Sequence, residues 1–199
     1  MKTSPHNLTK AAVLSIIVLA ALTSCTFLRN PENTLGDISR FLSAVAEADD
    51  VFVYEGLPPQ SSELYAAEAQ RTDLVWFEGY PFYAKALDVS AEEKRKLTVI
   101  ALEKKNHLSM PPASGGDDVI HLTSFCHEYH PDYAVIWRKG KRKSGSLICF
   151  GCGAWKNFTP QGRLYEDLER KTYDELHAIL AKYVVQRPKP ASNQSGRSN

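Results

Sequence analysis

Three cysteines stand in the body of the chain: Cys126 in Phe125-Cys-His-Glu-Tyr-His130, and Cys149 and Cys152 in Ser146-Leu-Ile-Cys-Phe-Gly-Cys-Gly153. Sulfur at these spacings can bind a metal, form a disulfide or exchange with other thiols. Cys126 and His130 make a Cys-x3-His pair, and Cys149 and Cys152 make a Cys-x2-Cys pair eighteen residues further on. Together they supply three sulfurs and one nitrogen, a set that suits tetrahedral zinc. A disulfide among Cys126, Cys149 and Cys152 is the alternative, and it leaves one thiol over. Geometry sets a condition on either outcome. In a straight strand, residues three apart point to opposite faces with Cα atoms about 10 Å apart, so Cys149 and Cys152 share a site only if Gly151 breaks the strand.

Cys149-Phe-Gly-Cys-Gly153 resembles the zinc knuckle, in which two cysteines around a tight turn chelate one side of a metal. Thiol exchange is the enzymatic use of the same residues, but it favours a CxxC at a helix N-terminus, where the dipole lowers the thiol pKa. Here Ala154-Trp-Lys-Asn-Phe158 reads as a strand. His127 and His130 do not form a metalloprotease HExxH helix, because they stand three apart and Pro131 disfavours helix at His130. They read as polar residues at the start of a strand. Arg138, Lys139, Lys141, Arg142 and Lys143 crowd a turn. Such a tip is either solvated or a contact for anionic lipid or cell-wall polymer. The aromatic run Trp76 to Tyr83 serves either as core or as a binding wall. The chain carries no Gly-rich phosphate loop, GxSxG or nucleotide fingerprint.

The start of the chain carries an address. Lys2, His6 and Lys10 precede the uncharged apolar run Ala11 to Leu22, a secretory pattern that is short for a membrane span. It ends in Leu22-Thr-Ser-Cys25, which resembles the lipobox of bacterial lipoproteins. The resemblance implies cleavage after Ser24 and lipidation of Cys25, with acyl chains that anchor the protein stably in a membrane. Thr26 stands where an inner-membrane retention signal would place Asp, so the expected address is the outer membrane, facing the periplasm. The tether from Thr26 to Asn33 reaches at most about 28 Å.

The elements that must position these residues follow from periodicity. Leu35, Ile38, Leu42 and Val45 predict an amphipathic helix with Thr34 as N-cap, ending near Asp49. Asp50 to Gly56 predicts a strand, and Ser62 to Arg71 a weak helix. Leu74 to Tyr83 predicts two short extended pieces with a bend at Gly79 and Pro81. The capping box Ser90-Ala-Glu-Glu93 starts a helix from about Ala91 to Lys105, with Leu97, Ile100 and Ala101 inward. Strands follow at Val119 to Phe125, Tyr133 to Arg138, Ser146 to Phe150 and Ala154 to Phe158, with Lys139 to Gly145 as a turn. A second capping box, Thr172-Tyr-Asp-Glu175, predicts a final helix with Leu176, Ile179, Leu180, Tyr183 and Val184 on one stripe. Residues 187–199 have no apolar side chain larger than proline and read as a disordered tail.

Helices bracketing strands joined by short connections make the expected fold α+β, a mainly antiparallel sheet in a single domain over residues 34–186. A body of this size buries roughly 70% of its unfolded surface, so it needs neither disulfide nor metal to fold. Without Met1 to Ser24 the chain holds 22 basic and 23 acidic residues, which excludes a global pull toward nucleic acid. Tyr54-Glu-Gly-Leu-Pro58, Gly79-Tyr-Pro-Phe-Tyr83, His130-Pro-Asp-Tyr133 and Ile148 to Gly153 resemble segments of uncharacterised proteins of planctomycete- and verrucomicrobia-type bacteria. That resemblance implies one domain and no particular activity. The expected role is that of a lipid-anchored envelope protein with a non-catalytic binding or structural function. A zinc-binding module and a periplasmic thiol-disulfide oxidoreductase are the alternatives.

Overall fold

Strict alternation of inward and outward side chains builds the centre of the molecule. The computed structural model describes residues 35–107 and 129–188, which belong to one compact unit, Asn33–Asn199. Its strands are β1 (Asp50–Glu55), β2 (Leu74–Phe77), β3 (Tyr80–Tyr83), β4 (Tyr133–Lys139), β5 (Arg142–Cys149), β6 (Ala154–Thr159) and β7 (Gly162–Asp167). Five of them form an antiparallel sheet in the order β1-β4-β5-β6-β7, and β2 pairs with β3 in a separate hairpin. The helices are α1 (Leu35–Ala46), the single turn α2 (Tyr65–Glu68), α3 (Ala91–Leu102) and α4 (Arg170–Leu180). Short 3-10 turns follow α3 at Lys104–His107 and α4 at Ala181–Tyr183. The fold is α+β, as its sequence predicts.

Register decides what each face of the sheet holds. Val53, Val135, Ser146, Asn157 and Leu164 form one row across the strands, and Glu55, Tyr133, Ile148, Trp155 and Glu166 another. Both rows face the helices, where Phe41, Val45, Leu97, Ile100, Leu176 and Leu180 join Val53, Val135, Ile148 and Trp155 in the larger core. The opposite face carries Ala134, Ile136, Leu147 and Phe158, covered by Phe77 and Phe82 of the β2–β3 hairpin. Close packing there needs Gly145, since a Cβ at that position would lie 2.7 Å from Ile136 Cδ1 and Phe158 Cε1.

Most elements form where periodicity places them, and the departures have local causes. The β2–β3 bend sits at Glu78 and Gly79, both with positive φ, a geometry that matches hairpin twist. Pro81 lies inside β3 opposite Trp76, which a two-stranded hairpin tolerates because its outer edges need no donor. The turn expected over Lys139 to Gly145 contracts to Gly140 and Lys141, with β4 and β5 paired out to Lys139 and Arg142. A strand the sequence did not reveal, β7, follows the turn at Pro160 and Gln161. Its Arg163, Tyr165 and Asp167 face outward, and charge on one face disguises an edge strand.

α1 stops at Ala46, and Ser62 to Arg71 yields only the single turn α2. The Ser90–Glu93 capping box is present. The one expected at Thr172 is not: α4 begins at Arg170, and Thr172 is buried and donates to Asn106 Oδ1 at 3.1 Å. Tyr183 and Val184 lie beyond the helix, and Val184 is exposed. Arg187, expected to open the tail, docks on the body as described below. Residues 1–34, the expected strand Val119 to Phe125 and residues 189–199 lie outside the described residues.

Candidate functional site

β5 ends at Cys149, the chain turns through Phe150 to Gly153, and β6 begins at Ala154. The strand therefore breaks as a shared cysteine site requires, with the positive φ at Gly153 rather than at Gly151. The turn brings the Cα atoms of Cys149 and Cys152 to 5.3 Å, and the two sulfurs are bonded as a disulfide. Cys152 N–H donates to Cys149 Sγ at 3.1 Å. Asp132 holds the turn from outside: its carboxylate accepts from Phe150 N–H at 2.8 Å, and its own N–H donates to the Ile148 carbonyl at 2.7 Å. Both cysteines are buried, with Ala154 and the ring of Tyr129 packed against them.

A disulfide consumes both thiolates, so in this state Cys149 and Cys152 have none to give a metal. Cys126 and His127 lie outside the described residues, and His130 is half-buried beside Pro131. Among the described residues no group of three or more His, Cys, Asp or Glu is placed to hold a metal ion; the expected zinc set of Cys126, His130, Cys149 and Cys152 includes Cys126, which lies outside them. For thiol exchange, the CxxC joins two strands, and Cys149 and Cys152 are 1% and 4% exposed, whereas a reactive thiol needs access and an electropositive setting.

The five cations of the β4–β5 tip do not form one patch. Because side chains alternate along a strand, Arg138 and Lys143 face the hairpin side and Lys139 and Arg142 face the helix side. Arg138 pairs with Asp50 at 2.6 Å and lies over the Phe52 ring at 4.7 Å. Lys143 lies 5.9 Å from the Phe77 ring centre. Lys139 pairs with Glu47, just past the end of α1, at 2.7 Å. Lys141 sits at the turn itself, exposed. On the helix side, α1 and the β4–β5 and β6–β7 turns enclose a groove of about 450 Å³.

Core packing claims most of the aromatic run. Phe77, Phe82 and Tyr83 are buried, and Trp76 alone is strongly exposed, at 60%. Tyr80 joins Tyr129 and Tyr165 around Lys156, whose Nζ lies 4.0 Å from the Tyr129 ring centre and donates to Tyr80 Oη at 2.6 Å. This aromatic cage is filled by the protein's own lysine.

Comparison with protein-family models, curated proteins and solved structures finds no match. Any functional argument therefore rests on the residues themselves. Among the described residues, no helix is long and apolar enough to cross a membrane.

Two polar constellations escaped the sequence. His107, Glu166, Asn157 and Ser146 are buried between the sheet and the helices. His107 Nε2–H donates to the Ala101 carbonyl at 2.7 Å, Nδ1 lies 2.9 Å from Glu166 Oε2, and Asn157 donates to the same oxygen at 2.8 Å. Ser146 Oγ–H completes the chain on Asn157 Oδ1. The His107 ring stacks on Trp155, leaving the imidazole no open face toward solvent. The network pins the turn after α3 to β7. The second constellation is a latch. Glu55 is fully buried and accepts the N–H groups of Val185, Gln186 and Arg187, while the Arg187 guanidinium reaches the Gly56 and Asp132 carbonyls and the Asp132 carboxylate. The only sequence sign of either was a polar residue at an inward position of a strand, which becomes visible once register is known.

Proposed function

We propose that this is a lipid-anchored cell-envelope protein whose body has a non-catalytic role, binding or structural, at an anionic surface. The observation that carries the reading is the Cys149–Cys152 disulfide: a buried crosslink across the β5–β6 turn belongs in an oxidising compartment, and the expected signal sequence and Cys25 lead there. Orientation supports the surface contact. The first turn of α1 lies against the β6–β7 turn, since a Cβ on Gly162 would stand 2.6 Å from Asp37 Oδ1. In an antiparallel meander the β4–β5 and β6–β7 turns share one end of the sheet. α1 therefore begins at the end of the sheet that carries the cations, where each one contributes about 1 kcal/mol near an anionic surface. Outer-membrane attachment facing the periplasm is the address proposed.

Labelling cells with a palmitate analogue tests the anchor. The chain should take up label and fractionate with membranes, and Cys25→Ser should abolish both. A cleaved, soluble and unlabelled protein would sink the reading. Intact mass before and after reductant tests the crosslink: a gain of two hydrogens is expected, and stoichiometric zinc without that gain would favour a metal-binding module instead.

A further inference from the structure

We infer that the groove between α1 and the β4–β5 and β6–β7 turns is a discrete binding site for a phosphate ester. This deepens the surface-contact reading and rests on it for the source of the ligand. A volume of about 450 Å³ lies within the range of small-molecule sites, large enough for a phosphate and part of its alcohol.

The lining supplies the chemistry. Ser39 and Ser43 stand four apart on one face of α1, beside Arg40, and Glu47 follows just past its end. From the sheet, Lys139 and Arg142 project to the same side as Ser144. Three cations thus face one carboxylate, and that carboxylate is occupied: Lys139 holds Glu47 at 2.7 Å, and Arg40 is held at 2.6 Å by Asp37, just outside the groove. Arg142 makes no ion pair or side-chain hydrogen bond to any described residue, although its charge, after the bond from Lys139, helps keep the Glu47 carboxyl below its usual range. Ser144 is 4% exposed and lines the groove, and its hydroxyl is not among the buried polar atoms that lack a partner, so it can offer an O–H to a ligand there.

A guanidinium with no ion pair among the described residues and a serine hydroxyl, on adjacent rows of one strand pair, form half of an oxyanion site. Lys139, Ser39, Ser43 and the Gln161 amide can reach further oxygens. The planar fork of arginine matches two oxygens of a phosphate, and the hydroxyls suit a ligand with more than two. At the floor, Trp137 spends its N–H on Thr98 Oγ1 at 3.0 Å, so it presents apolar ring toward the alcohol.

The test is calorimetric titration of the full chain in detergent micelles with inorganic phosphate. Saturable binding is expected, weakened about tenfold or more by Arg142→Gln and about threefold by Ser144→Ala. Lys171→Gln, which removes one positive charge from the exposed face of α4, away from the groove, should change little. Melting curves establish that each variant is folded, and Ser43→Ala replaces Ser144→Ala if that position does not tolerate change. Unsaturable heats in the parent chain, or equal weakening by Lys171→Gln, would overturn the site. A second arm sediments the Cys25→Ser chain with phosphatidylglycerol–phosphatidylcholine vesicles. Vesicle binding lost in Arg142→Gln assigns the site to a lipid headgroup. Saturable phosphate binding without vesicle binding keeps the site, assigns it to a free phosphate ester and removes the surface contact. Vesicle binding with unsaturable phosphate does the reverse.

Discussion

Glu93 shows how much one side chain can hold. It closes the capping box at the start of α3, pairs with Lys182 beyond α4 and accepts from Tyr183 Oη at 2.6 Å. These partners, Lys182 foremost, pull its carboxyl from 4.5 to about 2. A depressed folded pKa adds stability above the unfolded value that is lost as pH falls through the folded one. Melting temperature should therefore drop between pH 4.5 and about 2, and Glu93→Gln should flatten that slope while lowering the plateau above it. An unchanged slope in the variant would show that the carboxylate is not the sensor. Gly56 is a second residue-scale case. A Cβ there would collide with the Pro131 carbonyl, which is backbone and cannot swing away. Gly56→Ala is expected to destabilise by about 3 kcal/mol, measurable by urea unfolding.

At the scale of elements, the disulfide and the latch act at one end of the sheet. Closing a loop as short as that between Cys149 and Cys152 removes little denatured-state entropy, and reduction should cost about 2 kcal/mol with the sheet retained. Circular dichroism in urea, with and without reductant, measures it; loss of the fold on reduction would mean that the crosslink carries more than this. The latch ties the segment after α4 to β1. Truncating Arg187 to Ala leaves the Asp132 carboxylate and the buried Glu55 without their cation, an expected loss of about 2 kcal/mol. Hydrogen exchange at the Val185 and Gln186 amides should rise in parallel. If those amides stay protected, the backbone bonds to Glu55 hold without the guanidinium.

For the whole molecule, tyrosines set the alkaline limit. Burial raises Tyr129 well above its usual value, Tyr133 to about 12, and Tyr83 and Tyr54 upward as well. Tyr133 packs on the helix face of the sheet, and Tyr54 and Tyr129 pack on the other. A raised folded pKa means that their stabilisation is complete below pH 10 and disappears as pH climbs toward 12 and beyond. Tyrosinate absorbance should then appear together with loss of the fold in that window. Ionisation of all tyrosines near pH 10 in a still-folded protein would refute it.

The sequence by itself determined the α+β class, most strands, both long helices of the first half and the Ser90 cap, because periodicity and capping are local rules that neighbouring residues satisfy alone. It narrowed the cysteine chemistry to a question about one strand break. Tertiary structure decided the rest. Whether Cys149 meets Cys152 depended on where β5 stops; four of the five clustered cations were sorted by strand pleat into two faces; and β7, Glu55, Glu166 and Arg187 acquired roles only from partners more than fifty residues away or across the sheet. Register and long-range pairing are not encoded in any one window of the chain. The groove that holds Arg142 and Ser144 exists because α1 crosses the end of a sheet whose strands lie a hundred residues further on.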